Sequence, residues 1–302
     1  MELAMIGLGK MGGNMVSRLL AGGHRVVAYD VSPDAVRKAV ESGAEAAGSL
    51  AAAVQKLTAP RMFWVMVPSG AVTENTIQTL AQLVSPGDVI IDGGNSYYKD
   101  SLRRAAELAG KGIHFVDVGT SGGVWGLKEG YSLMIGGDAN VVESLAPIFK
   151  TLAPAADKGW GRVGPAGSGH FTKMVHNGIE YGLMQAYAEG FEIMHAKKEF
   201  DLDLHQVSEI WRYGSVVRSW LLDLTAEVLE QDASLDDLEA YVPDSGEGRW
   251  TVAEAIDLDV AAPIITLSLQ RRIRSRQSAP FSDKLLSAMR NAFGGHAMKK
   301  TE

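Results

Sequence analysis

The stretch AMIGLGKMGGNM, residues 4–15, sets Gly7-x-Gly9-x-x-Gly12 directly after a short apolar run and at the start of a helical pattern. Glycines at that spacing allow a tight strand-to-helix turn and a close approach of backbone to ligand. They also aim the free N–H groups of the helix start at an anion such as a pyrophosphate. The same half of the chain repeats the strand-then-helix order. ELAMIGL, HRVVAYD, RMFWVMV, DVIIDGG, HFVDVG and SLMIGG are short runs rich in apolar and β-branched residues, separated by helical segments. Strands alternating with helices imply βαβ units and a mostly parallel sheet. Ser32 and Pro33 read as the N-cap and first residue of one such helix, with Ala35, Val36, Ala39 and Val40 on its apolar side and Gly43 closing it.

From about residue 165 the strand signal fades, and long amphipathic patterns cover 168–196, 203–214, 216–231, 250–258, 264–277 and 281–293. GRVGPAGSG, Gly161 to Gly169, has the glycines and proline of a turn before a long helix. The expected fold class is therefore α/β: an N-terminal Rossmann-type doubly wound sheet over residues 1–164 and an all-helical C-terminal domain over residues 165–302. Within the first, HRVVAYD ends in Asp30, 18 residues after Gly12, where a carboxylate hydrogen-bonds the adenosine ribose of a dinucleotide. It would repel the 2′-phosphate of NADP, so NAD is the expected cofactor. Arg37 and Lys38 are the cations with the reach to contest this.

Composition narrows the partners. The formal net charge is −7, which disfavours nucleic acid and anionic membranes as ligands, since both attract clustered positive charge. No apolar run reaches the length of a membrane span, and the N-terminus lacks a signal-peptide pattern, so the chain is expected in the cytoplasm. There is no cysteine, which removes disulfides and thiolate chemistry, and the seven scattered histidines show no HExxH pattern, so no metal site is expected.

KMVHNGIEYG, Lys173 to Gly182, is the densest chemistry in the chain. On a helix Lys173, His176, Asn177, Glu180 and Tyr181 fall at i, i+3, i+4, i+7 and i+8 and share one face, while Val175, Ile179, Leu183 and Ala186 take the other. A solvated face carries interchangeable charge pairs, whereas this one combines an amine, an imidazole, an amide, a carboxylate and a phenol. A neutral lysine there can accept a hydroxyl proton, and once protonated it can stabilise an enolate. DGGNS (Asp92 to Ser96) and TSGG (Thr120 to Gly123) follow strands, where open α/β sheets bind their ligands.

GLGKMGGNM, IIDGGNSYYKDS, GTSGG and GHFTKMVHNGIEYGLMQ together resemble the decarboxylating 6-phosphogluconate dehydrogenases of the β-hydroxyacid dehydrogenase superfamily. The likeness runs to about residue 190 and resumes at GRWT and FGGH, in the short form of that family. The resemblance implies Lys173 as general base and acid and Glu180 as a second acid. It implies substrate contacts from Asn95, Ser121, Gly122, Gly123, His176 and Asn177, with Asn95 and Ser96 between substrate and nicotinamide. It implies phosphate-end contacts from Tyr181, Arg272, Arg290 and His296, the last two in a C-terminal tail that reaches into a neighbouring subunit of a homodimer or homotetramer. The implied cofactor contacts are Gly7, Gly9, Lys10, Met11, Gly12, Asp30, Val67 and Asn95. The implied reaction is NAD-linked oxidative decarboxylation of 6-phosphogluconate to ribulose 5-phosphate.

One stretch departs from the pattern. In DSGEGRWT, Ser245 and Glu247 stand where the long-form enzymes have Lys and Thr near the substrate phosphate, with Arg249 close enough in sequence to compensate. A carboxylate beside a phosphate costs binding energy. This keeps open a sibling reading, a β-hydroxyacid dehydrogenase acting on a non-phosphorylated sugar acid or small 3-hydroxy acid. Of the arginines in LQRRIRSRQ, Arg272 alone matches a family position, and Arg271, Arg274 and Arg276 read as a solvated stripe. Trp211, Trp220 and Trp250 read as helix packing.

Overall fold

The computed structural model describes residues 1–299. Eight strands form one sheet: β1 (Glu2–Ile6), β2 (Arg25–Tyr29), β3 (Glu45–Ala46), β4 (Met62–Val65), β5 (Val89–Asp92), β6 (His114–Ser121), β7 (Ser132–Gly136) and β8 (Trp160–Gly164). Their spatial order is β3-β2-β1-β4-β5-β6-β7-β8. The strands from β1 to β6 pair in parallel, β6 and β7 pair antiparallel, and β7 and β8 pair in parallel. The order reverses between β1 and β4, which makes the C-terminal ends of those strands the crevice where such sheets bind dinucleotides.

Helices cover both faces of this sheet: α1 (Lys10–Ala21), α2 (Pro33–Glu41), α3 (Leu50–Gln55), α4 (Ala71–Leu83), α5 (Tyr98–Ala109), α6 (Gly126–Glu129), α7 (Ala139–Ser144) and α8 (Ala146–Leu152). Strand side chains alternate between two cores. Leu3, Met5, Trp64 and Ile91 join Met15, Leu19 and Phe149 on one side. Ala4, Ile6, Phe63, Val65 and Ile90 join Ile77, Leu80 and Leu108 on the other. Burial on both faces is why these strands read as nearly continuous apolar runs. Ser32 caps α2 by accepting the Ala35 N–H, with Pro33 as its first residue.

Two strands were not expected. β8 runs from Trp160 into the first half of the GRVGPAGSG stretch read as a turn; its two glycines and half-exposed position at the sheet edge leave it without the apolar alternation that marks a strand. The two-residue β3 is fully exposed and is held by pairing with β2.

The helical segments that follow are α9 (Ser168–Ala196), α10 (Leu204–Arg212), α11 (Trp220–Gln231), α12 (Glu247–Asp257), α13 (Pro263–Ser275) and α14 (Phe281–Gly294). The chain resolves into two compact units, Met1–His176 and the residues from Asn177 on. The expected boundary at residue 165 precedes α9, whereas contacts divide the chain inside α9, because its first turns are anchored on the sheet. The Asp117 carboxylate of β6 accepts the N–H groups of Gly167 and His170 at 2.7 and 2.8 Å, satisfying helix-start donors that would otherwise be unpaired in the interior. His170 in turn pairs through Nδ1 with the Ser101 hydroxyl of α5 at 2.7 Å.

The second unit has a small core of Phe191, Leu204, Leu222 and Leu229, with Tyr187, Met194 and Trp211 against it. Trp211 meets Phe191 edge-on at 5.7 Å, as a packing residue, whereas Trp220 is largely exposed. Among the described residues no helix is long and apolar enough to cross a membrane.

Candidate active site

The glycine turn after β1 is shaped by backbone contacts. Gly7 adopts φ +95°, and a Cβ on it would collide with the Met66 carbonyl and lie 2.8 Å from Val67 Cγ1. A Cβ on Gly12 would collide with the Gly7 carbonyl, while Gly9 faces open space. Two of the three glycines thus close the turn, and the third leaves room for a ligand against the start of α1, which no side chain caps. Lys10 is exposed and Met11 half-buried in that first turn.

Asp30 sits at the end of β2 beside this turn. Its Oδ2 accepts the Leu8 N–H at 2.6 Å and its Oδ1 accepts the Ser32 N–H at 2.7 Å. It therefore organises the loop as well as facing it, and each oxygen retains a lone pair for a ribose hydroxyl. Arg37 is ion-paired on its own helix, to Asp34 at 2.9 Å and more distantly to Glu41.

The loop after β5 is held from beneath. Asp92 is fully buried and accepts the Gly94 N–H at 3.2 Å and the Ser96 hydroxyl at 2.7 Å. The buried Arg104 guanidinium of α5 donates to Asp92 Oδ2 at 3.1 Å and to Glu74 Oε2 at 2.8 Å. Hydrogen bonds from Arg103 and then Arg104 overcome the partial burial of Glu74 and hold its carboxyl at about 2. Asn95 is the exposed residue of this loop. Ser96, expected between substrate and nicotinamide, is instead buried with its hydroxyl committed to Asp92, so it anchors the loop that presents Asn95.

β6 ends on the same edge of the sheet, because it pairs in parallel with β5. Ser121 is its last residue, and Gly122 and Gly123 follow at φ +135° and +52°, conformations that side chains rarely adopt. Two residues before Ser121, Gly119 carries the start of α9: a Cβ there would overlap Lys173 Cβ and lie 2.6 Å from the Gly169 carbonyl oxygen. This contact buries Lys173 to 7% exposure. Its Nζ lies 3.4 Å from His176 Nδ1.

Within α9 itself the helical repeat sets Lys173, Asn177 and Glu180 along one face, as expected. That face is the more protected one. Lys173, Asn177 and Tyr181 are buried, whereas Ile179 and Leu183 on the opposite, apolar face are exposed.

Farther along, Tyr181 meets Arg272 and Ser245 of the second unit, Tyr181 and Arg272 being two of the residues expected at the phosphate end. The Arg272 guanidinium lies 3.5 Å above the Tyr181 ring centroid, a cation–π contact, and donates to the Pro243 carbonyl at 3.1 Å. The Tyr181 hydroxyl accepts the Ser245 N–H at 3.3 Å, and the Ser245 hydroxyl donates to Glu247 Oε2 at 2.5 Å. α12 starts three residues before the expected segment, so Glu247 is its first residue and is buried.

Two arginine expectations need correction. Arg249 is bidentate to Asp244, at 2.8 and 3.0 Å, and does not offset Glu247. Arg276 also pairs with Asp244 and Arg274 with Asp283, so these two are ion-paired rather than a solvated stripe. Arg290 and His296 line a cavity of about 540 Å³ with Asp283, Leu286, Ser287 and Ala297, while Tyr181 and Arg272 belong to the cluster of α9, α12 and α13. Among the described residues no group of three or more His, Asp or Glu forms a metal site.

Asp117, Gly119, His170 and Arg104 hold the site together and were not singled out from the sequence. Asp117 left the one usable signal, an acidic residue inside the apolar run HFVDVG.

Residues 2–161 match the family model described as the NAD binding domain of 6-phosphogluconate dehydrogenase, and residues 169–280 match that of the 6-phosphogluconate dehydrogenase C-terminal domain. A Haloferax volcanii protein named as an NAD(+)-dependent, decarboxylating 6-phosphogluconate dehydrogenase is 43% identical over 303 residues, covering 100% of both chains. A Bacillus subtilis protein provisionally named 6-phosphogluconate dehydrogenase YqeC is 45% identical over 300 residues, 99% of this chain and 100% of its own. Among solved structures, the Plasmodium falciparum 6-phosphogluconate dehydrogenase, studied with NADP+ and with 6-phosphogluconate, superposes with a TM-score of 0.84 at 26% identity, over 100% of this chain and 67% of that one.

Proposed function

This chain belongs to the 6-phosphogluconate dehydrogenase family, and from that premise we propose that it oxidises and decarboxylates 6-phospho-D-gluconate to D-ribulose 5-phosphate and carbon dioxide with NAD+. The observation that carries the reading is the burial of Lys173 against Gly119, two residues before the Ser121-Gly122-Gly123 turn at the C-terminal edge of the sheet. An amine held there, beside a turn suited to a carboxylate, can reach the hydroxyl that a β-hydroxy acid presents next to its carboxylate.

Lys173 takes the hydroxyl proton as the alcohol becomes a ketone. The resulting β-keto acid loses carbon dioxide, and the electron pair of the broken C–C bond enters an enolate whose oxygen the protonated Lys173 stabilises. Glu180 then supplies a proton to the carbon that carried the carboxylate. Ser121, Gly122 and Gly123, with His176 and Asn177, orient the substrate carboxylate, and Asn95 lies toward the cofactor. NAD+, when bound, supplies the hydride acceptor. The open space at Gly9, the uncapped start of α1 and the Asp30 carboxylate fit its pyrophosphate and ribose. The preference for NAD over NADP is supported by Asp30 and by the ion pairing of Arg37 within α2.

Tyr181 and Arg272 receive the phosphate end. Arg290 and His296, on an outlying helix and tail whose surface is exposed, complete a neighbouring subunit's site in a homodimer or homotetramer. The sibling reading, a non-phosphorylated sugar acid as substrate, is favoured by the Ser245–Glu247 pair. The two are separated by initial rates of cofactor reduction with 6-phosphogluconate and with gluconate, each against NAD and NADP, with carbon dioxide followed in parallel. The proposal requires one carbon dioxide per hydride with 6-phosphogluconate and NAD. Turnover of gluconate alone, or oxidation without carbon dioxide, defeats it. Lys173→Met should lower kcat at least ~100-fold with NAD binding retained.

A further inference from the structure

Around Tyr181 the polar groups have directions that constrain what the substrate's distal end can offer. The Ser245 hydroxyl donates to Glu247 Oε2 at 2.5 Å, so its proton is committed and it presents only lone pairs to a ligand. The Tyr181 hydroxyl accepts from the Ser245 N–H at 3.3 Å, and with the Ser245 proton held by Glu247 its own phenolic proton points to Ser245 Oγ at 3.5 Å, a long contact that a phosphate has to compete with. Glu247 is 2% exposed, and its Oε1 has no hydrogen-bond partner among the described residues. It cannot easily swing away, because Gly248 beside it packs so closely on Tyr181 that a Cβ there would lie 2.8 Å from the ring Cδ2.

The nearby cations are engaged elsewhere: Arg249 and Arg276 with Asp244, and Arg272 on the Tyr181 ring. As the first residue of α12, Glu247 gains from the helix dipole. That benefit needs only an exposed acid, and does not account for a buried one with an idle oxygen and a grip on Ser245.

We infer that Glu247, acting through Ser245, is a specificity-determining residue that weakens binding of a doubly charged phosphate at the Tyr181–Arg272 end. The inference rests on the reading above that this end faces the substrate's phosphate. Two effects combine. The carboxylate repels the phosphate, and the locked hydroxyl cannot donate to it, so the anion is left with Tyr181, whose proton it must draw from Ser245 Oγ, and with the Arg272 guanidinium stacked on the Tyr181 ring. A neutral hydroxyl at the same place suffers neither penalty, so the margin by which the protein favours the phosphorylated acid is smaller than its cations alone would give.

The test uses the full-length protein, two variants and two ligands. Glu247→Gln keeps an acceptor for Ser245 and removes the charge; Glu247→Thr removes both charge and lock. Dissociation constants for 6-phosphogluconate and gluconate are measured by calorimetry, with thermal melts to confirm folding. Glu247→Gln should tighten 6-phosphogluconate about tenfold, the scale of one relieved like-charge contact, and Glu247→Thr should tighten it further. Gluconate should change less than about twofold. Unchanged or weaker 6-phosphogluconate binding in the folded Gln variant overturns the inference, as does equal tightening of both ligands. Failure of the wild-type protein to bind 6-phosphogluconate also overturns it, unless the Thr variant gains that binding. Binding is read separately from turnover, so a wild type that binds 6-phosphogluconate yet reduces no NAD defeats the proposed reaction and leaves the role of Glu247 to be decided by the affinities.

Discussion

Replacing Gly119 by Ala tests the contact on which the position of Lys173 depends. The added methyl would lie 2.6 Å from the Gly169 carbonyl oxygen and 3.2 Å from Lys173 Cγ, and closer still to Lys173 Cβ, where ordinary contact begins near 3.4 Å. One of the obstructing atoms is backbone, so a change of rotamer cannot relieve the overlap. The first turn of α9 has to retreat by about 0.8 Å from β6, against the anchoring of Gly167 and His170 on Asp117. Overpacking of this kind costs about 1–3 kcal/mol, which lowers the melting temperature by roughly 2–12 °C in a unit of this size. The larger effect should be on turnover, since a displacement near 1 Å at a reacting group costs about 100-fold. Gly190→Ala on the same helix is the control: nothing lies within 4 Å of the added methyl, and the helix should gain about 0.5–1 kcal/mol. Steady-state rates and thermal melts of both variants decide the matter. A folded Gly119→Ala protein with kcat within about threefold of wild type would mean that Lys173 is not positioned by this contact.

Three further outcomes follow from the geometry. Arg104→Met leaves the fully buried Asp92 without its cation and should cost about 3–5 kcal/mol in urea unfolding, partly restored by Lys, whereas a loss under about 1 kcal/mol would show that the pair is not what holds the loop. Glu74 is held at about 2, below the ordinary carboxylate value of 4.5, so its contribution to stability is complete above that ordinary value and is lost as pH falls through the window between the two; Glu74→Gln should flatten the melting temperature there, and an unchanged slope would remove Glu74 from the acid response. Asp30→Ala should lower the NAD-to-NADP ratio of kcat/KM at least ~10-fold, together with overall cofactor affinity because the Leu8 and Ser32 N–H groups lose their acceptor; an unchanged ratio would mean that Asp30 does not read the ribose.

Much of the fold was legible because local and global preferences coincide in it. Five of the six apolar runs became strands buried on both faces by two separate cores, while β7 gives Leu133 and Ile135 to one of them, and the Ser32-Pro33 start of α2 was visible because a cap is satisfied within three residues of itself. β8 was hidden for the opposite reason. WGRVG has little intrinsic strand preference and is a strand because β7 offers it a hydrogen-bonding edge. The early start of α12 is similar: Gly246 at φ +102° lets the helix begin three residues before the amphipathic pattern does.

The same distinction divides the site. The shared face of Lys173, Asn177 and Glu180 was readable because the helical repeat brings them together without help from the rest of the chain. What holds Lys173 in place was not, because it depends on single residues with distant partners: Gly119 under Lys173, Asp117 under Gly167 and His170, Arg104 under Asp92. α9 shows why this matters. Ordinary amphipathic logic sends Lys173 and Asn177 to water and buries Ile179 and Leu183, yet the exposures run the other way. A polar face goes inward only where its groups find partners and where the opposing surface is small enough to admit them. Gly119 and Gly169 provide the space, and the Asp117 carboxylate satisfies the N–H groups at the helix start that close packing would otherwise strand. The inward course of Lys173 is thus a consequence of the strand beneath the first turns of α9.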